Sequence, residues 1–117
     1  MLRYLLILTT FSLVSCTADK LPTPVSNSDF CSTMTITYDE HIDSLLTRTC
    51  SYASCHDGNS GLSPILSYDD LPEPRRNIAY ERMVFAKDMP PSYATTTLSK
   101  EQIDTIKCWK DQGYLEN

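Results

Sequence analysis

A chain of 117 residues with ten Lys and Arg against fifteen Asp and Glu carries a formal charge of −5. That balance argues against nucleic acid as a partner, because phosphate binding needs a basic footprint. It suits solubility, or steering toward a basic patch on another protein. With one tryptophan and three phenylalanines, the chain has few large side chains from which to build a core. A domain of this size often needs a staple, a metal or a cofactor.

The chain opens on a leader. Arg3 supplies a positive start, and Tyr4 to Val14 form an apolar run too short to span a bilayer. The run ends in Leu13-Val14-Ser15-Cys16, which resembles the lipobox of bacterial lipoproteins. The resemblance implies cleavage before Cys16 and diacylation of its thiol. The domain would then be lipid-anchored in the cell envelope, in the periplasm or at the outer membrane. An ordinary secretory signal with an incidental cysteine is the alternative. Residues 1–15 are thus read as signal peptide, and losing Arg3 with them takes the charge from −5 to −6. Residues 16–30 are read as lipidated N-terminus and tether, since Thr17 to Asp29 are polar, hold two prolines and show no apolar period. Residues 31–117 form one domain.

Within that domain the spacing predicts helices and no strand. Thr37 with Glu40 makes a capping box at the start of the first helix. Tyr38, Ile42, Leu45, Leu46 and Thr49 then fall on one face. Gly58, Gly61 and Pro64 break regularity after that helix. Ser67 caps a short turn, which Pro72 and Pro74 stop. A helix follows over 75–85, with Ile78, Arg82 and either Phe85 or Met83 on a partly apolar face. The last helix is capped by Ser99 and Gln102, with Leu98 stapled onto Ile103 across its first turn. Ile103, Ile106 and Trp109 are its buried stripe, and Gly113 is its C-cap. Cys108 falls on the other side, beside Glu101, Asp104 and Gln112, and is expected on an outer face.

The chemistry concentrates at Cys50-Ser51-Tyr52-Ala53-Ser54-Cys55-His56. Two thiols followed at once by an imidazole are the groups that attach a haem covalently, the thiols adding across its vinyl groups and His56 reaching the iron. The usual spacing leaves two residues between the cysteines, and here there are four. On a regular helix, residues five apart are rotated by roughly 140° and separated by about 7.5 Å along the axis. Ser51 to Ser54 must therefore leave helical geometry for both thiols to meet one haem edge. The competing readings are a local Cys50–Cys55 disulfide and a zinc site. Downstream, Asp88-Met89-Pro90-Pro91 holds a methionine between fixed backbone units. Met89 is the favoured second axial ligand, with Met83 as its competitor. His41 reads as a solvated surface histidine; Arg75 and Arg76 are either partners for the haem propionates or, the favoured reading, an ordinary solvated pair. Tyr52, Tyr80, Tyr93 and Trp109 fit either haem contact or plain packing.

Five cysteines divide consistently on this reading. Cys16 goes to lipid, Cys50 and Cys55 go to haem, and Cys31 with Cys108 remain as a disulfide that an exported protein can keep. Two disulfides, the second joining Cys50 to Cys55, are the alternative arrangement.

The order of these elements resembles the small monohaem c-type cytochromes found in bacterial lipoproteins of the Bacteroidetes and Planctomycetes. The resemblance runs through Tyr38 to Ile42, Cys50 to His56, Met89 to Pro91, and Leu98 through Trp109 to Gly113, about two-thirds of the chain. It implies an all-α, cytochrome c-like fold with N- and C-terminal helices around one covalent haem c. It also implies single-electron transfer to redox partner proteins rather than catalysis. A peroxidase would need an open iron position and a distal acid–base pair. The alternative is a haemless, disulfide-stapled lipoprotein that acts as a binding or structural module.

Overall fold

Four α-helices, two of them extended by wider π-helical turns, make up the computed structural model, which describes residues 27–117. The leader, Cys16 and the first part of the tether lie outside the described residues. Helix α1 is Asn27–Thr33, α2 is Asp43–Thr49, α3 is Glu73–Tyr80 and α4 is Lys100–Asp111. No strand occurs among the described residues, so the domain is all-α as expected.

The expected stripe of the first long helix is buried at every position, from Tyr38 through Ile42, Leu45 and Leu46 to Thr49. Its opening turn, Tyr38–Ile42, is π-helical, because the amides of both His41 and Ile42 donate to the Thr37 carbonyl. The cap differs from the expected box in one partner. The Thr37 hydroxyl accepts from the Glu40 amide, but the Thr37 amide donates to Nδ1 of His41 rather than to the Glu40 carboxylate. His41 is therefore a half-buried cap and not a solvated side chain.

Helix α4 carries a complete capping box. Ser99 Oγ accepts from the Gln102 amide at 3.2 Å, and Gln102 Oε1 accepts from the Ser99 amide at 2.8 Å. Its far end closes on Gly113 at φ +88°, where the amides of Gly113 and Tyr114 donate to the carbonyls of Lys110 and Trp109. These are the two bonds of a Schellman motif, and a side chain at that φ would be strained.

That reversal sends the C-terminal tail across the start of the first helix. The amides of Tyr38 and Asp39, which have no partner inside their own helix, donate to the carbonyls of Leu115 and Glu116. Trp109 Nε1 donates to the same Leu115 carbonyl, and Gln112 bonds to Cys31, Met34 and Ile36. The two ends of the domain are thus tied by backbone hydrogen bonds. An aromatic cluster of Tyr38, Tyr68, Trp109 and Tyr114 packs beneath them, with ring centroids 4.8 to 6.0 Å apart.

Cys31 and Cys108 form a disulfide, as expected. The surroundings of Cys108 are not the expected ones. It is fully buried, because α1, which begins inside the expected tether, packs onto that side of α4. Asp104 shares this second buried face. Burial alone would raise its pKa, but the ammonium groups of Lys100 at 2.6 Å and Lys107 at 3.5 Å hold it below the ordinary value.

The third expected helix begins two residues early. Pro72 is its N-cap, and Pro74 stands in its first turn, where a missing amide costs nothing. It runs on into the π-helical turn Glu81–Ala86 and ends at Lys87, which is left-handed at φ 52°. Tyr80, Met83 and Val84 point into the core, so Met83 rather than Phe85 completes the expected face, whereas Ile78 is exposed against expectation.

Candidate functional site

Helix α2 delivers Cys50 and stops. The Cys50 and Ser51 amides both donate to the Leu46 carbonyl, and the chain then turns tightly, with Ser54 left-handed at φ 70°. The segment between the cysteines thus leaves helical geometry, as the five-residue offset requires. The turn is closed by the His56 amide donating to the Cys50 carbonyl at 2.9 Å. Cys50 and Cys55 are both free thiols, so the local disulfide does not form. Burial, reinforced by Cys55, pushes the Cys50 thiol above its ordinary pKa although Thr49 opposes this, so it stays protonated at neutral pH.

The loop after His56 is knitted by its own polar side chains. Asp57 accepts from the amides of Asn59 at 3.0 Å and Ser60 at 3.1 Å, bonds that hold its carboxyl below the ordinary range. Ser60 Oγ donates to the Cys55 carbonyl, and Ser51 Oγ donates to the Ile65 carbonyl. The Ile65 amide donates to the His56 carbonyl at 3.0 Å, closing the loop on itself.

The orientation of His56 follows from one contact. Its Nδ1 lies 2.7 Å from the carbonyl oxygen of Ser63. A carbonyl only accepts, so Nδ1 carries the proton and the lone pair of the neutral ring is at Nε2. Arg75 Nη2 donates to the same carbonyl at 2.7 Å, while its Nη1 donates to the Asp70 carbonyl. Arg75 is therefore a loop brace rather than a solvated charge.

All four expected haem contacts border one cleft of about 340 Å³: Cys50, Cys55, His56 and Met89. Its floor is apolar, built from Ile42 and Leu46 ahead of the motif and from Ile106 and Trp109 of α4. Tyr52, Tyr80, Tyr93 and Trp109 border the cleft as well, and His41 does not. Met83, the competitor of Met89, lines the cleft as well. The two differ in burial: Met83 is buried, and Met89 is half-buried beside Pro90 and Pro91.

The residues present fit a haem. Two unpaired thiols and an imidazole with its Nε2 lone pair free border the same apolar cleft. Tyr93 at 87% exposure, Ile78 at 60% and Leu62 at 49% stand at its margin, apolar surface that a flat macrocycle would cover. A zinc site lacks donors: among the described residues no three His, Cys, Asp or Glu side chains gather. No family model, curated protein or solved structure matches the chain.

Sequence reasoning weighs Arg75 and Arg76 against the haem propionates but does not place Arg82 beside them. Arg75, Arg76 and Arg82 line it and, among the described residues, no Asp or Glu does, although the protein as a whole is acidic. Only the folded arrangement brings three cations to one wall.

Proposed function

We propose that the chain is a membrane-anchored c-type cytochrome with a cytochrome c-like fold, carrying single electrons through one covalent haem c. The observation that carries this reading is the shared cleft of Cys50, Cys55 and His56, with both thiols free and the His56 ring held through Nδ1. Cys50 and Cys55 would hold the haem as thioethers formed by addition of each S–H across a vinyl group, with no by-product. His56 would bind the iron through Nε2, and its bond to the Ser63 carbonyl aims the ring and makes it a stronger donor. Met89, in the loop after Lys87, would be the second iron ligand. The bound haem would supply one-electron chemistry between ferrous and ferric states. The apolar cleft walls exclude water around it. The lipid on Cys16 keeps the domain at the membrane, where redox partner proteins exchange electrons with it.

Expression in an exporting host with haem-maturation machinery tests the reading. A red protein with a sharp Soret band is expected. A colourless, folded protein would favour the haemless, disulfide-stapled module instead.

The sixth ligand has its own signature. The ferric protein should show the weak sulfur-to-iron band in the far red, and Met89→Ala should abolish it while Met83→Ala leaves it. The opposite pattern would move the ligand to Met83.

A further inference from the structure

We propose that Arg75 is a positioning residue for the His56 ring, acting through the Ser63 carbonyl that the two side chains share. The inference rests on the haem reading above, in which His56 Nε2 meets the iron. The backbone of His56 is held on both sides: its amide donates to the Cys50 carbonyl, and its carbonyl accepts from the Ile65 amide. What remains is the rotation of the ring. The 2.7 Å bond from Nδ1 to the Ser63 carbonyl fixes that rotation and so aims Nε2. The direction of Nε2 is therefore only as well defined as the place of that carbonyl.

Ser63 lies in a loop, outside any helix. Pro64 narrows its backbone to the extended region but cannot by itself hold a carbonyl in space. Arg75 does. It stands in the first turn of α3, and helical side chains lean toward the N-terminus of their helix, which carries this one back over the preceding loop. There one guanidinium bridges two carbonyls, through Nη1 to Asp70 at 2.5 Å and through Nη2 to Ser63 at 2.7 Å. A carbonyl oxygen has two acceptor sites, and with Arg75 on one of them the other is turned to His56. The bridge needs two donors set apart on a rigid plane, which arginine has and the compact ammonium of lysine lacks.

NMR of the ferrous holoprotein tests the assignment. Arg75→Met keeps the apolar stem and removes every donor. It should speed solvent exchange of the His56 Nδ1 proton by roughly tenfold or more, the scale on which losing a supporting bond weakens a metal ligand. The Trp109 Nε1 proton, bonded to the Leu115 carbonyl, should exchange as in the wild type. In the ferric protein the haem ring-methyl shifts, which follow the plane of the axial imidazole, should move in the same variant. Arg75→Lys, able to hold one of the two carbonyls, should fall between that variant and the wild type. In the wild type itself, the Arg75 Nη2 and His56 Nδ1 protons meet at one oxygen and should show a through-space contact. That contact decides the matter even where a variant fails to fold, and its absence would overturn the assignment. Equal acceleration at His56 and Trp109, which is what a general brace would give, would overturn it too. So would wild-type exchange and methyl shifts in both variants. Each of these outcomes leaves the haem reading intact, whereas a wild-type protein without haem would overturn both.

Discussion

Serine at both Cys50 and Cys55 will convert haem retention from complete to none when the protein is extracted with acidified organic solvent. Axial bonds to His56 and Met89 break in acid, whereas thioethers survive it, so extraction separates coordination from covalent attachment. Each single variant should keep its haem through one remaining bond, with absorption bands shifted because one vinyl group stays conjugated. Cys50 is buried at the end of α2 and Cys55 is more exposed, so Cys50→Ser places a hydroxyl where an apolar thiol packed and should also lower stability. Haem that leaves the wild type under the same extraction would disprove covalent attachment.

Cys31→Ser will lower the melting temperature steeply and leave the haem spectrum nearly unchanged. The bridge spans a sequence separation of 77 residues, and closing so long a loop stabilises by about 4 kcal/mol in the chain-entropy account. For a domain of this size that corresponds to a fall in Tm of roughly 15 °C or more. The spectrum should hold because Cys108 faces α1, while Ile106 and Trp109 of the same helix face the cleft. Peptide mapping of unreduced protein should recover the two cysteine peptides linked. Both thiols open to alkylation in exported protein would contradict the bridge.

Much of this architecture was legible because local signals agreed with one another. In α4 the capping box, the apolar stripe and the C-terminal glycine all fix the same twelve residues. The Tyr38-to-Thr49 stripe is equally plain, and the departure from helix between the two cysteines follows from helix geometry alone. Helix α1 was not legible. Its seven residues, Asn-Ser-Asp-Phe-Cys-Ser-Thr, carry no apolar period, and it is held by a disulfide to α4 rather than by an amphipathic face. The same gap misplaced Cys108, since a helix wheel cannot show that a second helix covers the polar-looking side. On period Ile78 is expected inward with either Phe85 or Met83; Met83 is the buried one of that pair, in a π-helical turn over Glu81–Ala86, and Ile78 is exposed.

The site divides in the same way. Cys50, Cys55, His56 and Met89 are legible as chemistry in a short motif and a proline-flanked methionine. The bracing role of Arg75 is not, because an arginine beside another arginine looks solvated until its bonds to the Asp70 and Ser63 carbonyls are seen in the fold. His41 was misread for a similar reason: its value as a cap depends on Nδ1 reaching back one turn to the Thr37 amide.

The most direct test of the central claim is the intact mass of the exported protein, denatured without reducing agent in the presence of a thiol-alkylating reagent. The expected result is a mature chain heavier by its lipid and one haem, with no alkyl group added, because Cys16 is acylated, Cys31 and Cys108 are bridged and Cys50 and Cys55 are thioethers. A lipidated chain without the mass of a haem and with two alkyl groups, both mapped to Cys50 and Cys55, would contradict it.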